Sequence, residues 1–336
     1  MDMRVALLAH ELFPERAKTA VGVLRYADHE VVAVLDRDLA GDRIHDHVPD
    51  VQDAPIVADV ADTPDCDALV VGVAPIGGGF EESWRPDVRA AIRQGWDVVA
   101  GLHYLLAEDE EFARLADEQG VDLRDVRAPP DDLSVATGEG VDARVVLTVG
   151  TDCSSGKMTG CFELRDAARE RGLDAAVVPT GQTGIMIAGW GIAIDRVISD
   201  FAAGATERLV HRASDNDVLF VEGQGALAHP AYSGVTAAIL HGSHPDSLVL
   251  CHVAGRETVG GYDTYTLPDP ERYLGLYESV AAPVAPATVD AGLLNTQGLD
   301  GEEAREAVDG YGDRLGVPVT DPVRDDADAV LDAVLE

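Results

Sequence analysis

One segment constrains the fold more than any other. Val145-Val146-Leu147-Thr148-Val149-Gly150 is a β-branched apolar run that enters Thr151-Asp152-Cys153-Ser154-Ser155, and Gly156-Lys157-Met158-Thr159 then opens a helix-compatible stretch. A buried strand, a glycine-bounded loop and a Gly-Lys pair at a helix start form the setting that a phosphate-binding loop requires. The N–H groups of such a loop converge on an anion, and the helix N-terminus adds positive potential. Composition singles out the lysine. The chain has 23 Arg but only two Lys, Lys18 and Lys157. A compact ammonium on a flexible stem does what the planar guanidinium cannot. Gly150, Thr151, Asp152, Cys153, Ser154, Ser155, Gly156, Lys157, Met158 and Thr159 are therefore the expected cofactor-phosphate site.

The loop departs from P-loop nucleotide hydrolases in two ways. Five residues separate its glycines instead of four, and Met158 stands where those enzymes place a magnesium-binding Ser or Thr. Thr159 lies about 100° further round the helix. A metal set of Thr159 and Glu222 is expected only if the ligand is ATP with Mg²⁺.

The rest of the chain alternates strands and helices. Runs at Val5 to Ala9, Val31 to Leu35, Ala68 to Val73 and Val98 to Leu102 read as strands buried on both faces of a parallel sheet. Amphipathic helices are expected at Trp84 to Gln94 and at Asp109 to Gln119, the latter closed by Gly120. A turn-rich break follows at Ala128 to Asp132 and Thr137 to Gly140. Strands then resume at Arg144 to Val149, Ala175 to Val178, Asp217 to Glu222, Ser247 to Val253 and Val289 to Leu294. Helices are expected at Gly156 to Arg171, Pro270 to Val280, Gly301 to Arg314 and Asp325 to Leu335. The fold class is α/β with two domains, a Rossmann-like parallel sheet over residues 1–135 and a P-loop NTPase-like domain over 143–336. The first half has Leu8-Ala9-His10-Glu11 where a dinucleotide fingerprint would need glycines. Gly77-Gly78-Gly79, after the strand at 68–73, is either a close-approach loop or a plain turn.

Charge excludes some functions. With 40 Asp and 21 Glu the formal charge is −36, which argues against a nucleic-acid partner. An Asp-rich, Lys-poor chain is expected to tolerate high salt, where its self-repulsion is screened. No apolar run is long enough for a membrane span, and the N-terminus lacks a leader pattern, so the expected compartment is the cytoplasm. Four cysteines at 66, 153, 161 and 251 show no metal-site or disulfide spacing. Two α/β domains with exposed sheet edges suggest a homo-oligomer.

The glycine-loop spacing resembles dethiobiotin synthetase and related P-loop amide-forming enzymes, as does Val221-Glu222-Gly223-Gln224-Gly225. In those enzymes an acidic strand-end residue helps hold Mg²⁺, and an Asn reads adenine, a role that would fall to Asn295. A wider set of segments covers residues 5 to about 330. It includes Gly72 to Gly78, Gly101-Leu102-His103, Asp125 to Pro130, Val149 to Thr159, Thr180 to Met186, Ser199-Asp200-Phe201, Glu222 to Gly225, His229-Pro230, Leu240 to Ser243 and Leu250-Cys251-His252. By these the chain resembles the D-glutamate N-acetyltransferase-like family, long described as a domain of unknown function, and is expected to be a halophilic archaeal member. The resemblance implies a Rossmann-like and a P-loop domain, and acetyl transfer from acetyl-CoA to the amino group of D-glutamate.

Acetyl transfer to an amine needs a base and donors for the carbonyl oxygen. Lys157, Glu222, His229, His241 and Asp200 are the catalytic candidates. Asp200 is considered because apolar neighbours could raise its proton affinity. Lys18, Arg25, Arg127, Gln182, Thr183 and Gln224 are the candidates for a small acidic substrate, with Arg256 a further cation. Thr180-Gly181-Gln182-Thr183-Gly184 is read as a strand-end turn beside the loop. The alternative function is an ATP- and Mg²⁺-dependent ligase or kinase acting on a small carboxylate.

Overall fold

The structure is a computed structural model that describes residues 3–73, 75 and 77–336. Ala74 and Ile76, within the Gly72 to Gly78 motif, lie outside the described residues. The chain divides into two compact units. One comprises residues 1–129 and 182–193, the other residues 130–181 and 194–336.

The first unit holds β1 (Arg4–Leu8), α1 (Lys18–Tyr26), β2 (Glu30–Leu35), β3 (Ile56–Val57), β4 (Ala68–Val71), α2 (Arg85–Gln94), β5 (Asp97–Ala100), α3 (Glu110–Gln119) and β6 (Leu123–Asp125). Its six strands run parallel in the order β3-β2-β1-β4-β5-β6. Val5 to Leu8, Val31 to Leu35 and Ala68 to Val71 are all buried, as strands covered on both faces must be. Asp109 caps α3 by accepting from the N–H groups of Glu111 and Phe112, and Gly120 closes it in the left-handed region. A later segment completes this unit. Helix α5 (Gln182–Ala188) packs against α1. The turn expected at Thr180 to Gly184 is thus a helix start. Ile185, Met186 and Ile187 are buried, so their apolar side chains drive the segment into the packed interior.

The second unit carries β7 (Arg144–Gly150), α4 (Lys157–Glu170), β8 (Ala175–Val178), α6 (Ser199–Arg212), β9 (Val218–Val221), α7 (Ser233–Ser243), β10 (Ser247–Val253), β11 (Thr258–Val259), β12 (Tyr262–Thr266), α8 (Glu271–Ala281), β13 (Thr288–Asn295), α9 (Gly301–Leu315), β14 (Val319–Thr320) and α10 (Asp328–Leu335). Six strands are parallel in the order β14-β13-β10-β7-β9-β8, and β11 and β12 form a separate antiparallel hairpin. Because the six run parallel, their carboxyl ends share one edge. Gly150, Thr180, Glu222, the stretch after Val253 and Asn295 gather there. No helix among the described residues is long and apolar enough to cross a membrane.

Candidate functional site

The site is built on the turn from β7 to α4. Gly150 ends the strand and Gly156, in the left-handed region at φ +94°, serves as the helix N-cap. The Lys157 side chain is buried and folds back over the loop. Its ammonium donates to the Asp152 carbonyl at 2.7 Å and to Ser155 Oγ at 3.2 Å. A methyl group on Gly150 would lie 2.7 Å from that ammonium and 2.6 Å from Ser155 Oγ, so only glycine leaves room for them. Gly223, after β9, is tighter still. A Cβ there would sit 1.8 Å from the Thr148 carbonyl oxygen.

Side chains from distant segments fix the loop. Tyr277 donates to the Gly150 carbonyl at 2.7 Å, and Tyr273 to the Thr151 carbonyl at 2.9 Å. Burial pushes both phenols up, so they stay neutral donors. Thr151 Oγ1 shares a hydrogen bond with His252 Nδ1 at 2.7 Å, and the His252 ring stacks on Tyr311. Burial, helped by Arg256 and Arg314, lowers His252 to about 4. Of this clamp of Tyr273, Tyr277 and His252, the sequence signals only His252, which lies within a family motif.

Asp152 is wholly buried and its carboxylate is used within the site. Oδ1 accepts from Cys153 N at 2.7 Å, and Oδ2 from Gly260 N at 2.8 Å and Arg256 at 3.2 Å. Arg256 also donates to the Cys153 carbonyl. The β11–β12 hairpin, which the sequence had not suggested, thereby joins the loop through Gly260 at its turn.

His229 is 2% exposed and its ring lies against Tyr232 and Tyr262. Nδ1 accepts from the backbone N–H groups of Ala231 and Tyr232, at 3.1 and 3.3 Å. An N–H can only donate, so Nδ1 carries the lone pair and the neutral ring holds its proton on Nε2. Nε2 is buried without a hydrogen-bond partner, 3.9 Å from Asp152 Oδ1. Burial, the largest influence, lowers the proton affinity of His229; the Asp152 charge opposes this and the Lys157 charge adds to it. In this tautomer Nε2 has no lone pair to offer as a base. The same argument bears on metal binding. Ligand atoms of Asp152, Cys153 and His229 lie within 4.8 Å of one another. A protonated Nε2 and an Asp152 carboxylate committed to Arg256 and two N–H groups do not fit a cation there.

The other candidates scatter. Glu222 follows β9 and is buried; its Oε2 accepts from Thr180 N at 3.2 Å and Gly181 N at 3.0 Å. Thr159, the other residue of the expected metal pair, is half-buried in the first turn of α4. Gln224 donates to the Thr180 carbonyl and hydroxyl. Asn295, at the end of β13, borders the loop: its Cβ is 4.0 Å from a Cβ position on Gly156. His241 Nε2 bonds the Val280 carbonyl at 2.8 Å, a helix-to-helix tie away from the loop. Asp200 is exposed in the first turn of α6, beside an exposed Ile198, so the apolar setting expected for it is absent.

In the first unit, Arg127 is buried and donates to the Gly101 carbonyl and to Gln182 Oε1, each at 2.8 Å. Thr183 Oγ1 bonds Thr19 Oγ1 at 2.8 Å. Arg127, Gln182 and Thr183 therefore join segments of this unit. Lys18 is exposed at the first residue of α1, and Arg25 is half-buried in its last turn with Nε unpartnered. Burial raises the thiols of Cys66 to about 11 and Cys251 to about 12, and holds that of Cys161 well above its ordinary value.

Comparison with known proteins agrees with this architecture. Residues 132–331 match a P-loop domain described as a domain of unknown function (DUF1611_C), and residues 37–129 match its Rossmann-like companion (DUF1611_N). A protein from a Pseudoalteromonas species named D-glutamate N-acetyltransferase is 38% identical over 266 residues, 78% of this chain and 80% of its own length. One of the same name from Tritonibacter scottomollicae is 38% identical over 271 residues, 79% of this chain and 80% of its own. A crystal structure of a DUF1611 family protein from Anabaena variabilis superposes with a TM-score of 0.93 at 38% identity, covering 99% of each chain.

Proposed function

Since the chain belongs to the DUF1611 family, with its Rossmann-like and P-loop domains in sequence order, we propose that it is an N-acetyltransferase. It would move the acetyl group of acetyl-CoA to the amino group of D-glutamate or a similar small acidic amino acid. The relatives that carry that name support the reaction class. The observation that carries the reading is the buried Lys157 ammonium, held over the β7–α4 loop by the loop's own Asp152 carbonyl.

A cation parked on neutral oxygens at a helix N-terminus is ready for an anion. Phosphate oxygens would give Lys157 an ion pair in addition to the hydrogen bonds it now donates to uncharged oxygens. Coenzyme A supplies a pyrophosphate for such a loop and a thioester as acyl donor. The balance of the reaction is simple. The amine nitrogen bonds the acyl carbon, the carbon–sulfur bond breaks, and coenzyme A leaves as its thiol with release of one proton. Within the loop, Tyr273, Tyr277 and His252 hold the backbone in place, and Asp152 fixes Arg256. Preorganisation of this kind spares the ligand the cost of ordering the loop.

A thiol-release assay in high salt tests the proposal. Purified protein with acetyl-CoA and D-glutamate is expected to release free thiol. L-glutamate should give little, and Lys157→Ala should lower the rate about 10²- to 10³-fold. ADP formation from ATP and Mg²⁺ with no thiol release would overturn it in favour of a carboxylate ligase or kinase.

A further inference from the structure

The histidine beside the loop has a buried donor with no hydrogen-bond partner among the described residues. We propose that the Nε2–H of His229 donates to an oxygen of the acyl donor bound at the loop, and that His229 acts as a neutral hydrogen-bond donor in the reaction. This rests on the proposed function and extends it to a residue and a proton.

Three observations carry the assignment. The backbone N–H groups of Ala231 and Tyr232 both point at Nδ1, which fixes the proton on Nε2. Nε2 is enclosed and unpartnered, and an unmet buried donor is costly enough that proteins rarely keep one without use. Its surroundings belong to the phosphate loop: Asp152 Oδ1 is 3.9 Å away, out of hydrogen-bond reach, and the Cys153 thiol shares the same small space. Asp152 is already committed to Arg256, Cys153 N and Gly260 N. The groups facing the imidazole are therefore Asp152 and Lys157, with the rings of Tyr232 and Tyr262 on its flanks. A neutral ring held as a donor stabilises developing negative charge on oxygen without taking up a proton. The acceptor is either a phosphate oxygen or the thioester oxygen, since both present the same chemistry to an N–H.

Two substitutions and one spectrum test this. His229→Asn keeps an acceptor near the Nδ1 position, and with it the cap on Ala231 and Tyr232, but removes the distal donor. His229→Gln restores an N–H at about the reach of Nε2. Affinity for coenzyme A and turnover of acetyl-CoA are measured for both, with thermal unfolding to confirm that each folds. The Asn variant is expected to lose about tenfold or more, and the Gln variant to stay within about threefold of the parent. A loss in coenzyme A affinity identifies a phosphate oxygen as the acceptor. A loss confined to kcat with acetyl-CoA identifies the thioester oxygen. Gln as impaired as Asn, or Asn without effect on either, overturns the proposal. Histidine ¹⁵N spectra of the unliganded protein give a readout independent of activity: a proton on Nδ1 of His229 would equally overturn it. Absence of any coenzyme A binding by the parent protein, with the Nε2 proton in place, would instead count against the proposed function, and weaker pyrophosphate binding by His229→Asn would then still support the donor.

Discussion

The two parallel sheets end in turns that solve opposite problems. After β1, the turn is closed by a buried ionic cluster. His10 Nε2 meets Asp87 at 3.1 Å, Arg37 meets the same carboxylate oxygen at 2.8 Å, and the N–H of Val60 approaches the other oxygen. After β7, the turn is bounded by glycines and carries a lysine, and burial keeps Tyr273, Tyr277 and His252, which clamp it, neutral. The histidines make the difference concrete. His10 bonds an ionised carboxylate through Nε2, and its Nδ1 is buried with no partner among the described residues. His229 accepts through Nδ1, which leaves Nε2 as a buried donor. Sheets of the same general design thus become a locked turn in one unit and an anion-ready turn in the other. The local partners of one or two side chains decide which.

The largest expected effect tests how far glycine matters at the carboxyl edge of each sheet, in the turns after β9 and β4. Gly223→Ala would drive a methyl group into the Thr148 carbonyl, and both partners are backbone. A loss of more than about 3 kcal/mol is expected. Gly79→Ala, in the glycine run after β4, meets nothing within 4 Å and should change stability by less than about 0.5 kcal/mol. Urea unfolding midpoints check the pair. Equal shifts would mean that the close approach at Gly223 relaxes and that the two turns are alike in their need for glycine.

Next in size is the ionic cluster. Burial alone would raise Asp87, but the hydrogen bond and charge of His10 and the charge of Arg37 overrule it and hold the carboxyl below its ordinary range. Asp87→Asn leaves Arg37 and His10 without their anion and should cost about 2–3 kcal/mol at pH 7. A carboxylate with a depressed folded value contributes stability above its ordinary value near 3.8 and loses it as the pH falls through the folded value. The gap between the parent protein and the variant should therefore narrow only in strong acid. Unfolding at pH 7 and pH 3 checks this, and a constant gap would show that the cluster holds by packing alone.

Much of this was legible in the chain. The strand expected at Arg144 to Val149 is Arg144–Gly150, and the helix expected at Gly156 to Arg171 is Lys157–Glu170. Continuous β-branched runs and a Gly-Lys start are local signals, so local reading recovers them. Three kinds of feature were not legible. Helix α7 is rich in Gly, Ala and Ser and has little contrast between its faces, so its period is hidden. Gln182 and Thr183 follow a strand end, and their bonds to Arg127 and Thr19 arise from long-range packing of α5 on α1, which no local pattern shows. The loop clamp depends on Tyr273 and Tyr277, more than 120 residues beyond the loop. Only the register of α8 in the folded unit brings them to it.

The smallest effect separates the two turns by pH. His252 is lowered to about 4 from an ordinary 6.5, chiefly by burial. Between those values the unfolded chain binds a proton that the folded protein refuses. Stability therefore falls as the pH drops through this window and is fully present above it. About 2 kcal/mol should be lost between pH 7 and pH 5 through His252, on the scale of about 1.4 kcal/mol per pH unit. His229, lowered in the same direction, adds to the slope. The Asp87 cluster contributes nothing in this range, because its window lies below about 3.8. His252→Asn should flatten part of the slope between pH 7 and pH 5, whereas Asp87→Asn should leave the slope there as steep as in the parent protein. Thermal unfolding across pH 7 to pH 3 reads both. If Asp87→Asn flattened the upper window instead, the locked turn after β1 would be the one that senses mild acid, and the contrast between a turn held by charge and a turn held by neutral side chains would fail.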